Sequence, residues 1–421
     1  MGLFRDAAEE LASEPIIPRI LGQIDTHETV TMDNCVCSTT FSTSGVHRTL
    51  VRPDLTLLGA AFGEKEQICF KSFAFSVDGL DEWHEISGIE VKNDFASKST
   101  VVSFDPPAEV PLWSDGSAAL SLRFAWTLPS QHLTHATVSQ KSYLRIEAKE
   151  PQPFDYFTKI AYQLVNFFTL AVDATISLSE VVCSHPDVVL ETGAGTKYEQ
   201  PIRVFYASHP FSEQRPKISG HEMLFKMTDL AGNPQSAFQA WFAAYERVMP
   251  ALNLYFSAKA GAHRYLDSRF LALAQSLETY HRRTFSRTRM PATEFAAALQ
   301  ATLEGAPQQH REWIKARLEH GNEISLADRL TELFAAFPIY FGDDAARKKI
   351  LRWIVDTRNY FTHWDPSQKK RAAQGSDLLN LVNKMEVLLQ LLFVREVGFS
   401  DSVIARAVDR NRRLRRRLDR E

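Results

Sequence analysis

Residues 354–366 read Ile354-Val355-Asp356-Thr357-Arg358-Asn359-Tyr360-Phe361-Thr362-His363-Trp364-Asp365-Pro366. Ile350, Ile354, Phe361 and Trp364 recur at helical spacing, which predicts an amphipathic helix with that stripe turned inward. Arg358 falls on the stripe, four residues after Ile354 and three before Phe361. A guanidinium placed there is partly sheltered and needs an anion or a polar cleft. Pro366 disfavours helical geometry at Asp365, so His363 is expected in the last turn, at the negative end of the helix dipole. Arg358 and His363 are five residues apart, about 140° of rotation and about 7.5 Å of rise, so they can flank one cleft without stacking on each other.

These residue types suit cleavage of a phosphodiester without metal. Arginine holds a non-bridging oxygen through two N–H groups and stabilises the charge of a pentavalent transition state. Histidine moves a proton to or from the reacting oxygens, and Asn359 bonds phosphate or orients the imidazole. In RNA the neighbouring 2′-hydroxyl supplies an internal nucleophile, giving a 2′,3′-cyclic phosphate and a 5′-hydroxyl and leaving DNA inert. The loose spacing also occurs at Arg203 with His209 and at Arg215 with His221, but in Pro- and Gly-bearing β or loop sequence with no helix to hold the pair. The competing reading of Arg358 and His363 is a structural arginine beside a stabilising helix-end histidine.

Outward from this stretch, everything after Pro234 is helical in pattern. Turn residues divide it into segments 235–248, 262–284, 291–303, 310–319, 326–337, 344–363, 376–397 and 401–417, a helix bundle over 235–421. Glu278, on the expected helix 262–284, follows Ala274 by four positions and lies near that helix's apolar stripe. Its carboxylate is placed either to hold Arg358 or His363, or to make an ordinary pair with Arg282 one turn on. The aromatic cluster Trp241, Phe242 and Tyr245 at helical spacing is expected in the core.

Residues 1–234 have the other periodicity. Phe73, Phe75 and Val77 alternate with Ala74 and Ser76, Leu120, Leu122 and Phe124 with Ser121 and Arg123, and Leu144, Ile146 and Ala148 with Arg145 and Glu147, predicting strands with one buried face. Turn signals such as Val77-Asp78-Gly79 and Ser114-Asp115-Gly116 separate them at sandwich-like spacing. A buried helix is expected over 155–171, and short strands over 181–190, 203–207 and 223–227. The fold class is α+β, a β-rich sandwich-like module followed by an all-α bundle.

The chain of 421 residues, 44% hydrophobic and 24% charged with a mean hydropathy of −0.22, is long enough for two cores. Its net charge of −3 conceals a polarity. Residues 1–249 carry 19 Lys+Arg against 31 Asp+Glu, about −12, and residues 250–421 carry 29 against 20, about +9. A basic module favours a polyanionic partner. Eight arginines between Arg406 and Arg420 form the strongest charge run, and Arg412, Arg413 and Arg416 are candidate RNA contacts. The bland reading is a solvated helix end or a strap to the acidic half.

Four cysteines in this length do not make a disulfide framework, the first ten residues lack the order of a secretory signal, and no apolar run reaches membrane-spanning length. A cytoplasmic location is expected. Cys35 and Cys37 have no histidine pair beside them, His132 and His135 no acidic pattern, and Gly193-Ala194-Gly195 no following helix and lysine. Neither metal nor any cofactor is expected.

With Glu278 on an early helix and Arg358-Asn359 followed by His363 at the end of a later one, the helical half resembles a HEPN domain. The whole chain resembles the ApeA family of bacterial anti-phage proteins, in which a β-rich N-terminal domain precedes a HEPN ribonuclease. Ile20-Leu21-Gly22, Thr29-Val30-Thr31, Leu58-Gly59 with Phe62, and Gly79-Leu80-Asp81-Glu82-Trp83 carry the front of that resemblance. It implies Arg358, Asn359 and His363 as the active-site set with Glu278 auxiliary, RNA as substrate, a homodimer with two motifs facing one composite cleft, and a phage-derived trigger acting at the N-terminal domain. Two rival readings keep the same residues: a dimeric binding protein with a catalytically silent HEPN bundle, and the ribonuclease toxin of a toxin–antitoxin pair.

Overall fold

The computed structural model describes residues 16–41, 47–129, 133–191, 195, 197–212, 215–230, 232–261 and 263–419. The first ten residues, His132, Gly193, Ala194, Ala262 and Arg420, all used above, lie outside the described residues. By its contacts the chain divides into Met1–Gln239 and Ala240–Glu421.

The first unit is built on strands β1 (Ile16–Gln23), β2 (Thr29–Phe41), β3 (His47–Leu58), β4 (Cys69–Val77), β5 (Ile89–Asp94), β6 (Ser99–Phe104), β7 (Val110–Ser114), β8 (Ala118–Thr127), β9 (Ser139–Pro153), β10 (Leu178–Ser184), β11 (Val189–Glu191), β12 (Lys197–Glu199) and β13 (Ile202–Tyr206). Nine of them form one antiparallel sheet in the order β1-β2-β3-β13-β10-β4-β9-β8-β7, while β5 with β6 and β11 with β12 make separate hairpins. The predicted alternation places the side chains: Leu120, Leu122 and Phe124 of β8 and Leu144 and Ile146 of β9 are buried, and the residues between them point to the other face.

The helix expected over 155–171 is Phe154–Val172. Phe157, Leu164, Phe167 and Phe168 are fully buried, and the Phe157 ring stacks on Phe73 of β4 at 5.9 Å. One short helix, Leu80–His84, interrupts a region that reads as strands and turns alone. These are α2 and α1 in chain order. Gly79 opens α1 at φ 84, where a Cβ would sit 2.8 Å from Ile218 Cδ1 and 3.2 Å from Val172 Cγ2. Leu80 and Trp83 then enter the core, the indole packing edge-on to Phe167 and Phe168. Asp81 stays outside and receives the Ser142 hydroxyl at 2.6 Å. The strand expected over 223–227 is absent. Met223, Leu224 and Phe225 are buried, but the Leu224 amide bonds the Ala171 carbonyl at the end of α2 and a single 3₁₀ turn, Met227–Leu230, follows. The apolar run reflects burial without a ladder.

The helices that follow are α3 (Pro234–Lys259), whose first residues belong to the first unit, α4 (Leu266–Thr284), α5 (Ala292–Gly305), α6 (Gln308–Leu318), α7 (Leu326–Ala335), α8 (Asp344–His363), α9 (Gly375–Glu396), α10 (Asp401–Arg410) and α11 (Arg412–Leu418). α3 runs past its expected end at residue 248, because Pro250 kinks it at Val248 without ending it. The final helix expected over 401–417 is two helices, broken at Asn411, whose buried carboxamide accepts from the Leu414 amide at 3.1 Å and starts α11 anew. The centre of the bundle is α9 against α4, with Leu381, Met385, Leu388 and Phe393 buried. Tyr255 and Tyr280 meet Phe393 edge-on at 5.4 and 5.8 Å. Trp241 and Tyr245 are core residues, as their spacing predicts. Among the described residues no helix is long and apolar enough to cross a membrane.

Candidate active site

The helix α8 begins where the Asp343 carboxylate accepts from the Ala346 amide at 2.8 Å. Leu351, Ile354 and Phe361 turn inward, and Phe361 meets Phe270 of α4 at 5.9 Å. His363 is its last residue. Trp364 adopts a left-handed conformation (φ 52, ψ 31), and its amide bonds the Tyr360 carbonyl at 2.6 Å. That turn takes the indole off the stripe on which the periodicity placed it, leaving it 59% exposed against Tyr360 and Phe361. Buried Thr357, one residue before Arg358, accepts from the Ala373 amide at 2.9 Å and ties down the returning chain.

Arg358 is half-buried and lines a cleft of about 490 Å³ between α4 and α8. Leu271, Gln275 and Glu278 contribute from α4, Phe361 and Thr362 from α8. Glu278 and Arg358 therefore come to one cavity although 80 residues separate them in the chain. The Glu278 carboxylate accepts from Arg282 Nη2 at 3.1 Å, the one-turn pair also foreseen, and makes no hydrogen bond to Arg358. Among the described residues the Arg358 guanidinium bonds only Asn359 Oδ1, at 3.4 Å, long for a hydrogen bond. Asn359 is half-buried beside it. His363 is exposed and is not among the residues lining the cleft, so the two side chains, which their separation of about 140° would allow to flank one cleft, do not both line this one.

Behind Glu278 runs a polar network that the sequence did not disclose. Arg282 bridges Glu278 and Glu323, the latter at 2.6 Å, and this hydrogen bond holds the Glu323 carboxyl below its ordinary value. His281, fully buried, lies between Glu332 Oε2 at 2.9 Å on Nε2 and Arg329 Nη1 at 3.2 Å on Nδ1. Arginine only donates, so Nδ1 accepts and Nε2 carries the proton given to Glu332. His281 and Arg282 stood next to Glu278 in the sequence, but Glu323, Arg329 and Glu332 lie on or near α7, about 45 or more residues away, and no spacing rule reaches them.

Of the remaining candidates, Arg412, Arg413 and Arg416 are exposed on α11. Arg203 belongs to β13 and pairs with Glu28, and Arg215 stands 3.8 Å from Asp78, so neither decoy arginine is on a helix. Cys35 and Cys37 are buried in β2 as free thiols.

Residues 1–241 match the family model described as ApeA N-terminal domain 1, and residues 271–403 match the one described as Apea-like HEPN. No curated protein and no solved structure shows a significant match.

Proposed function

The chain belongs to the ApeA family of anti-phage HEPN proteins, whose helical half has a HEPN-type ribonuclease role, and from that membership we propose a metal-independent endoribonuclease centred on Arg358. The 2′-hydroxyl attacks the adjacent phosphorus, the 5′-oxygen leaves, and the products are a 2′,3′-cyclic phosphate and a 5′-hydroxyl. Arg358 holds a non-bridging oxygen, Asn359 steadies the phosphate or the imidazole, and His363 transfers the proton. Glu278 sets the electrostatics of the cleft wall. In defence the cleavage follows a phage-derived trigger acting at the N-terminal domain, in the cytoplasm.

One observation carries the reading. Arg358 faces an open cleft with no carboxylate partner among the described residues, whereas Arg269, Arg282, Arg287 and Arg417 of the same unit each have one. A half-buried guanidinium without an anion is arranged to receive one. The exposed place of His363, outside its own cleft, supports a homodimer in which each α8 end completes the other's site. The same placement of His363 favours the rival reading, a catalytically silent HEPN bundle in a binding protein.

The two are separated with purified full-length protein in chelator, given RNA and the same sequence as DNA. We expect RNA cleavage with cyclic phosphate ends, no cleavage of DNA, and loss of activity in Arg358→Ala and His363→Ala. A divalent-metal requirement, or variants as active as the parent, overturns the mechanism.

A further inference from the structure

The eight arginines of the C-terminal run look alike in the sequence, and the fold sorts them. The helix α11 has seven residues, too few to be stable alone. Its inner side is bolted to α9: Leu414 is fully buried, Arg417 Nη1 lies 3.2 Å from Glu386 Oε1, and Lys384 Nζ donates to the Leu418 carbonyl at 2.8 Å. Arg417 is a structural bolt. Arg412, Arg415 and Arg416 lie on the opposite side within about 100° of arc, exposed. Arg406 of α10 is exposed as well. None of these four has an ion pair or side-chain hydrogen bond among the described residues.

Arg412 faces Arg415 and Arg416 at the helical spacings where like charges repel. The fold thus holds in register a set of guanidinium groups that would otherwise spread apart. Every cation between residues 406 and 420 is arginine and none is lysine. Arginine is the side chain whose planar fork matches two phosphate oxygens at once. Among residues 406–419 only Asp409 and Asp419 oppose these charges.

We propose that the outward face of α11, Arg412, Arg415 and Arg416, with Arg406 of α10, is a docking surface for the phosphate backbone of single-stranded RNA, separate from the residues that cut it. This rests on the reading above only for the identity of the polyanion. It leaves Arg413 aside and assigns Arg417 to the fold.

The test is equilibrium binding of full-length protein to a short 2′-O-methylated RNA, which cannot be cleaved by the proposed mechanism, across a salt series. In the triple variant Arg412→Gln/Arg415→Gln/Arg416→Gln, affinity at low salt should fall on the order of tenfold or more. The slope of log affinity against log salt should become shallower by about 2, from about 0.7 per lost phosphate contact on a single strand. The corresponding triple lysine variant should keep most of that slope, and the glutamine variant should unfold at the parent's temperature or above it. Parent-like affinity and slope in the glutamine variant overturn the proposal, as does parent protein that binds polyglutamate as tightly as RNA. A protein that binds RNA through this face yet never cuts it refutes the nuclease reading alone, and cutting with unaltered binding in the glutamine variant refutes the surface alone.

Discussion

Glu278 and Arg358 line one cleft from two different helices, yet the Glu278 carboxylate is held by Arg282 at 3.1 Å, and among the described residues the Arg358 guanidinium has no ion pair. Arg358→Ala should lower the RNA cleavage rate by about 10² to 10³, the typical loss of one transition-state donor, and Arg358→Lys should recover only part of it. Glu278→Gln keeps the shape and removes the charge, with an expected loss on the order of tenfold, from about 1.4 kcal/mol. Parent-like rates for Glu278→Gln would make Glu278 a partner of Arg282 only.

Glu386 of α9 is almost completely buried among Lys259 at 2.8 Å, Arg417 at 3.2 Å and Arg269. Burial pushes its carboxyl up, but the attraction of Lys259, Arg417 and Arg269 prevails and brings it from an ordinary value of 4.5 to about 2. A lowered folded value means stability that is complete above pH 4.5 and is lost as pH falls from there toward 2. Glu386→Gln should destabilise the helical unit by about 3–5 kcal/mol at neutral pH, because it leaves buried cations unpaired. In urea denaturation the gap between parent and variant should close over that acid range and not above it.

Thr357 is the hydrogen-bond acceptor for the Ala373 amide. Thr357→Val preserves the shape and orphans that buried N–H, at a cost of about 1–3 kcal/mol. Chemical denaturation should show this loss, and cleavage should fall further than stability accounts for if the anchor also positions Arg358.

In the β module, Gly79 at φ 84 is in the left-handed region, and a Cβ there would come 2.8 Å from Ile218 Cδ1. Gly79→Ala should cost at least the roughly 1–2 kcal/mol of a left-handed alanine. Trp83→Ala, which empties the space against Phe167 and Phe168, should cost about 3–5 kcal/mol. Thermal unfolding of the full chain reads both. A Trp83→Ala protein as stable as its parent would mean that the indole is not part of the cooperative core.

Much of the local structure could be read from the chain itself. The bounds of α8 followed from Asp343, Asp344 and Pro366, and the buried face of β8 from its alternation, because capping, proline sterics and side-chain periodicity act within a few residues. The same short-range rules placed the β-rich half before the helical half and singled out Arg358 and His363.

What failed had a longer reach. Met223–Phe225 read as a strand because apolar residues look alike whether they meet a ladder or a helix end. Trp364 read as part of a stripe that a single left-handed residue ends. Glu278 with Arg358, Arg282 with Glu323, His281 with Glu332, and Arg417 with Glu386 are pairings that only packing brings about. The sequence by itself determined which residues are capable of holding phosphate, since charge and hydrogen-bonding capacity belong to the side chain. The tertiary structure decided which of those guanidinium groups are already occupied, because packing brings the buried Glu386 of α9 to Arg417 and Glu323 to Arg282, and among the described residues no carboxylate pairs with Arg358.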